Sequence, residues 1–197
     1  MANINTDKIV NFLFEIASLR RLTRSHRQVI QEVSDNISDH SFRVAVIGMI
    51  LAESEKCDIN KVLKMCLFHD IVEARTGDAN YINKIYVDLH EKEAREDQMV
   101  GLPIAREMLK ILEEYEERKS KEAIIAKDAD VLDQMILEQE YFYKDKKNRK
   151  IWQNHKVYVP KTKSAKKLAE KIMKSNPLEW VYQLAEEKNG IKIKREY

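Results

Sequence analysis

Cys66-Leu67-Phe68-His69-Asp70-Ile71-Val72-Glu73-Ala74-Arg75-Thr76-Gly77-Asp78 is where an apolar helix runs out into a cluster of imidazole and carboxylates. Upstream of it, Val62, Leu63, Cys66 and Leu67 carry the apolar face of a helix that Asp58 or Asn60 would cap. His69 and Glu73 stand four residues apart and Asp70 and Glu73 three, offsets that share one helical face. His69 and Asp70 themselves are about 100° apart around the axis, so a second helix has to complete any common ligand shell. His40, in Asn36-Ile37-Ser38-Asp39-His40-Ser41 at the start of another predicted helix, is a suitable donor. Asp130 is the fourth candidate. It lies in line with Ala123, Ala126, Leu137 and Tyr141, and a carboxylate in such a stripe needs a partner. Asp128, which shares a stripe with Ile124, Val131 and Met135, and Asp133 are its rivals.

Two imidazoles with carboxylates suit a first-row divalent ion (Mn, Fe, Co or Zn) better than calcium. Such an ion lowers the pKa of bound water and polarises a phosphoryl oxygen. Glu73 and Asp78 are placed in sequence to handle protons, one as base and one as acid.

The rest of the chain is read outward from this series. Its 197 residues suffice for one domain with a real core, and 44% hydrophobic with 35% charged residues fits a globular protein. Only four glycines and three prolines favour helices over a loop-rich β architecture. A net charge of +2 makes no general case for nucleic acid or membrane as a partner. The basic runs Lys144–Lys150 and Lys161–Lys174 lack interleaved aromatics and read as solvated faces. Cys57 and Cys66 read as reduced thiols, and no signal-peptide pattern opens the chain, so a cytoplasmic protein is expected. The longest apolar run, Val44–Ala52, is too short to span a bilayer and reads as a buried helix segment.

Ile9, Phe12, Leu13, Ile16 and Leu19 predict a first amphipathic helix. Thr23–Asp39, with Arg24 and Arg27, reads as a long connection holding at most a short helical turn. A central helix follows, capped by Ser38 or Asp39 and running to about Lys56. The helix bearing His69 fades near Thr76-Gly77. Asp78–Asp88 is expected to be an ordered loop packed down by Tyr81 and Tyr86. Further helices are predicted over Leu89–Val100, Ile104–Glu117, Lys119–Tyr143, Ala165–Ser175 and Leu178–Glu187, with one short candidate strand at Lys156–Val159. His26, His90 and His155 read as surface residues.

Asn36–Phe42 with His40, Cys66–Asp78 with His-Asp-x-x-Glu-x-x-x-x-Asp, and Ala126–Asp133 together resemble the HD-domain metal-dependent phosphohydrolases. The closest likeness is to their 5'-deoxynucleotidase branch, over roughly residues 10–145. The resemblance implies an all-α helical bundle around a metal site, usually a homodimer. The chain is then one domain over 1–197, with its core at about 10–145 and a helical extension at about 160–190. It implies His40, His69, Asp70 and Asp130 as metal ligands, Glu73 orienting or activating the attacking water, and Asp78 assisting proton transfer to the leaving 5'-oxygen. An arginine before the first histidine would bind the substrate phosphate; Arg24 fits best by distance, with Arg20 and Arg27 as alternatives. The branch often carries a tryptophan in that segment, whereas none occurs here before Trp152, which leaves base and sugar preference open.

The function expected is hydrolysis of nucleoside 5'-monophosphates, deoxyribonucleotides foremost, to nucleoside and phosphate, with Mn, Co, Fe or Zn as cofactor and magnesium also admitted. The same ligand set serves phosphodiester or pyrophosphate cleavage of cyclic nucleotides, dNTPs or guanosine tetraphosphate, and a non-catalytic binding module is the third reading.

Overall fold

The computed structural model of the protein describes residues 5–28, 35–143 and 158–192. Among these residues all regular structure is helical, and the only β feature is an isolated antiparallel bridge between Thr23 and Asn36. The helices are α1 (Thr6–Ile16), α2 (Ile37–Glu55), α3 (Ile59–Phe68), the single turns α4 (Glu73–Thr76) and α5 (Asn83–Tyr86), α6 (Glu91–Met99), α7 (Ala105–Glu117), α8 (Lys121–Phe142), α9 (Lys163–Ile172) and α10 (Glu179–Asn189). Two 3-10 turns, Ala17–Arg21 and Ser25–Gln28, lie between α1 and α2. The expected linker Lys144–Lys150 and His155 lie outside the described residues. Of the candidate strand at 156–159, Tyr158 and Val159 carry no regular structure.

Side-chain caps set half of the helix starts among the described residues. Asn5, Asn36, Asp58, Ser120 and Thr162 each accept the backbone N–H three residues on, satisfying a donor the helix leaves open. At α2 this moves the start forward of the expected Ser38 or Asp39. Asn36 Oδ1 takes the Asp39 amide at 3.0 Å, so Ile37 is already helical and His40 falls on the first turn. The helix ends on Lys56, whose left-handed backbone (φ 55°) turns the chain.

The bundle centres on α2, which packs on α3 and α8, with α7 against both α3 and α8. Ile37, Val44, Leu51, Val62, Met65, Leu112, Ile125 and Leu132 fill the space between them. The approach of α2 to α3 depends on Gly48. A Cβ there would lie 2.6 Å from Cys66 Sγ and 3.1 Å from Val62 Cγ1. Gly48→Ala is therefore expected to destabilise the protein by about 1–3 kcal/mol through overpacking, read as a lower midpoint in denaturant at unchanged slope.

Several sequence-based expectations are corrected. The stripe of α1 is narrower than its spacing suggests: Phe12 is buried and Ile9 and Ile16 half-buried, but Leu13 falls past the edge of the core and is exposed. α2 is not covered all round; Phe42, Val46, Met49 and Ile50 form an exposed row on the side away from α3 and α8. Tyr81 and Tyr86 do not pin their loop, being 67% and 82% exposed; polar contacts from Asn80 and Asp78 hold it instead. Both cysteines are free thiols, as expected. No helix among the described residues is long and apolar enough to cross a membrane.

One buried carboxylate helps tie the C-terminal helices to the bundle, beside Ser164 on Glu55 and Gln139 on the Ser175 carbonyl. Asp128, fully buried in α8, accepts hydrogen bonds from the backbone N–H groups of Lys161 and Thr162 (both 2.8 Å), from Thr162 Oγ1 (2.7 Å) and from the Tyr158 hydroxyl (3.2 Å). These bonds hold the start of α9 on α8.

Candidate active site

α3 stops at Phe68, and His69 is its C-cap. The next residues pass through a non-helical turn before α4 begins at Glu73, rather than continuing one helix to Thr76. That interruption swings Asp70 towards α2 while leaving His69 on the end of α3. The His69 Nδ1 lies 2.9 Å from the Cys66 carbonyl oxygen, which only accepts, so Nδ1 carries the proton and Nε2 presents a lone pair. On the first turn of α2, His40 is wholly buried with Nδ1 2.7 Å from Asp133 Oδ2, which fixes the same tautomer.

The two free Nε2 atoms face each other at 3.3 Å. Around them, Asp70 Oδ2 is 3.4 Å from His40 Nε2 and 3.2 Å from His69 Nε2, and Asp130 Oδ1 is 3.3 and 3.9 Å from the same atoms. Ligand atoms of His40, His69 and Asp130 all fall within 4.8 Å of one another. Two lone pairs and the Asp130 oxygen converge, with the Asp70 oxygen beside both imidazoles, and such a set calls for a positive charge between them. A mixed nitrogen and oxygen set of this kind fits a divalent transition ion. Burial and the Arg24 charge push the His40 pKa down, but the carboxylates of Asp130, Asp133 and Asp70 outweigh both and hold it well above the ordinary value, so a cation taking Nε2 would displace a proton there. Burial alone would raise Asp70 and Asp130; the two imidazoles, with Lys127 at Asp130, bring both carboxyls below the usual range.

Of the three aspartates in this stretch of α8, Asp130 meets the histidines. Asp128 faces the other way, towards Thr162. Asp133 lies behind His40 rather than beside its Nε2, and is itself gripped by Arg43 through Nε and, at 3.3 Å, Nη2. Arg43 also reaches Asp35 at 3.6 Å. The sequence reading did not find this support, nor Lys127 on Asp130 (2.6 Å), nor Tyr115, whose buried ring lies 5.6 Å from that of His69. A signal for part of it was present. Arg43 stands three residues after His40 and Asp133 three after Asp130, so each pair shares a face of its helix.

Arg24 is largely buried and gives Nη1 to Asp70 Oδ2 at 3.2 Å, while Arg20 and Arg27 are exposed. Glu73 is beside Asp70 and Asp78, and one of its oxygens is buried with no hydrogen-bond partner. Burial first, then the charges of those two aspartates, push its pKa up to about 10. Asp78 accepts the Ser25 backbone N–H at 2.7 Å, and Asn80 Nδ2 donates to Gln28 Oε1 at 2.5 Å, so the loop after α4 and the 3-10 turn Ser25–Gln28 form one rim of the site. His26, on that turn, is half-buried rather than a surface residue; His90 is exposed as expected.

The comparisons with known proteins agree with one another. The HD domain model matches residues 16–173. The 5'-deoxynucleotidase HDDC2 of Xenopus laevis is 31% identical over 141 residues, covering 68% of this chain and 69% of that protein. Human 5'-deoxynucleotidase HDDC2 is 28% identical over 141 residues, covering 68% of each. A crystal structure of a Pyrococcus horikoshii protein superposes with a TM-score of 0.68 at 26% identity, covering 84% of this chain and 98% of that one.

Proposed function

This chain belongs to the HD-domain family, and we propose that it is a metal-dependent phosphohydrolase cleaving nucleoside 5'-monophosphates, deoxyribonucleotides foremost, to nucleoside and inorganic phosphate. The observation that carries the reading is the pair of facing Nε2 lone pairs closed by Asp70 and Asp130, with the Arg24 guanidinium alongside. The 5'-deoxynucleotidase relatives supply the substrate class.

His40, His69, Asp70 and Asp130 would hold the ion, Mn, Co, Fe or Zn, with magnesium also admitted; when bound it supplies Lewis-acid polarisation of the phosphoryl group and acidifies water. Asp133 keeps His40 in the ligating tautomer, as the Cys66 carbonyl does for His69. Arg24 neutralises the phosphate dianion with a planar fork of donors. Glu73 orients the attacking water and takes its proton as the water oxygen bonds to phosphorus. Asp78 assists transfer of a proton from solvent to the 5'-oxygen as the P–O bond breaks. Glu73 is a strong proton acceptor because it is buried beside two like charges. Once Asp70 is committed to a cation, its charge no longer raises Glu73, and the carboxylate comes down towards the range in which a base works at neutral pH.

The test is phosphate release from a panel of ribo- and deoxyribonucleoside 5'-monophosphates with Mn, Co or Mg added. Nucleoside plus phosphate is expected. Nucleoside monophosphate or pyrophosphate as product would move the activity to a different bond, and no turnover by folded, metal-loaded protein would end the reading. A cytoplasmic homodimer of single-domain protomers belongs to the same proposal. The exposed row Phe42, Val46, Met49 and Ile50 on α2 is the surface that favours self-association, and sedimentation would test it.

A further inference from the structure

Three polar atoms beside this site are buried without a hydrogen-bond partner: Arg24 Nε, Glu73 Oε2 and His26 Nε2. The first two belong to residues already given roles. His26 does not, and its location is specific. It sits on the 3-10 turn Ser25–Gln28, and that turn is held to the α4 loop by the Ser25 amide on Asp78 and by Gln28 on Asn80. Its neighbours Arg27 and Gln28 are exposed, whereas Arg24, Ser25 and His26 turn inward. The charges of Arg24, Asp78, His40 and Asp133 all act on its ring. An imidazole on this turn, within the field of those four charges and with one nitrogen buried and unused, is a free hydrogen-bonding group at the rim of the site.

We propose that His26 is a substrate-contacting residue whose Nε2–H donates to an oxygen of the 5'-phosphate, completing with Arg24 Nε a two-residue phosphate cradle on one turn. The inference rests on the phosphohydrolase reading and deepens it by adding a residue to the phosphate subsite. Chemistry favours a donor here. Burial, then the adjacent Arg24 charge, lower the His26 pKa to about 4, so the ring is neutral at working pH and adds directionality beside the Arg24 charge. A neutral donor holds a phosphate oxygen in place without competing with the nearby carboxylates for a counter-charge. Arg24 has given Nη1 to Asp70 and keeps Nε unpartnered, and an imidazole donor on the same turn adds a second point of contact for the phosphate.

The experiment compares wild type, His26→Ala and His26→Gln, each loaded with Mn. Calorimetry reads inorganic phosphate binding, and steady-state kinetics reads a deoxyribonucleoside 5'-monophosphate. His26→Ala is expected to weaken phosphate binding and raise KM about tenfold with kcat within about threefold, without lowering the melting temperature. His26→Gln, whose side-chain N–H₂ replaces the Nε2 donor, should recover most of the affinity. Phosphate affinity and KM of His26→Ala within twofold of wild type would overturn the assignment, as would a Gln variant no better than Ala. A wild type that binds phosphate but hydrolyses no monophosphate would sink the proposed activity while leaving His26 readable by calorimetry. A wild type that neither binds phosphate nor hydrolyses a monophosphate would sink both.

Discussion

Asp70→Ala is expected to leave the protein without bound metal and without measurable turnover, a loss of about a thousandfold or more in phosphate release. Asp70 Oδ2 stands 3.4 and 3.2 Å from the two Nε2 atoms and 3.2 Å from Arg24 Nη1, so in the proposed site one oxygen would serve both the cation and the phosphate-binding arginine. Its removal takes away a ligand and the counter-charge that holds Arg24 against the cluster. Two imidazoles and one carboxylate remain, and their net charge with a dication and Arg24 is more positive by one. Elemental analysis of the purified variant beside wild type, with the phosphate assay on the same samples, checks the result. A variant that kept stoichiometric metal and activity would mean Asp70 is no ligand.

Glu73→Gln separates the chemistry from the metal. Turnover is expected to fall by about 10²–10⁴ through loss of the base, with metal content unchanged. Stability should move the other way. The folded-state pKa of Glu73 lies far above the ordinary carboxyl value, at about 10, so its neutral form is what the fold favours. That contribution is complete below the unfolded-state pKa and is lost steadily as pH rises towards the folded-state value. Glutamine has no charge to bury. In metal-free protein at about pH 8 the variant should therefore melt several degrees above wild type, and the gap should nearly close at about pH 5. Equal melting temperatures at both pH values would show that Glu73 is not strained by its surroundings; full activity would remove it from the mechanism.

What the sequence disclosed followed the range of the physics involved. Caps act over three residues, so Asp58 and the break before it were legible, and the start of α2 was off only because Asn36 outcompetes Ser38 for the role. The ordered series of histidines and aspartates was legible because each residue type is chemically demanding. Which aspartate of α8 turns towards α2 depends on the helix's rotation against two distant neighbours. Periodicity alone therefore kept Asp128 and Asp133 open beside Asp130. Exposure of Tyr81 and Tyr86 was illegible for a related reason. Aromatic residues suggest burial, but nothing local says whether a neighbour arrives to cover them. His26 looked like a surface residue because its depth comes from the Asp78 loop, more than fifty positions away.

The bonds that Asp128 receives set a limit on how small this enzyme can be made. A trimmed version ending with α8 would leave a fully buried carboxylate stripped of Tyr158, Lys161 and Thr162, two positions from Asp130. Such a fragment would have to hydrate or protonate that group by loosening the helix that presents Asp130. Protein engineers seeking a minimal catalyst would therefore keep the chain through Thr162, or replace Asp128 with an apolar residue in the same cut.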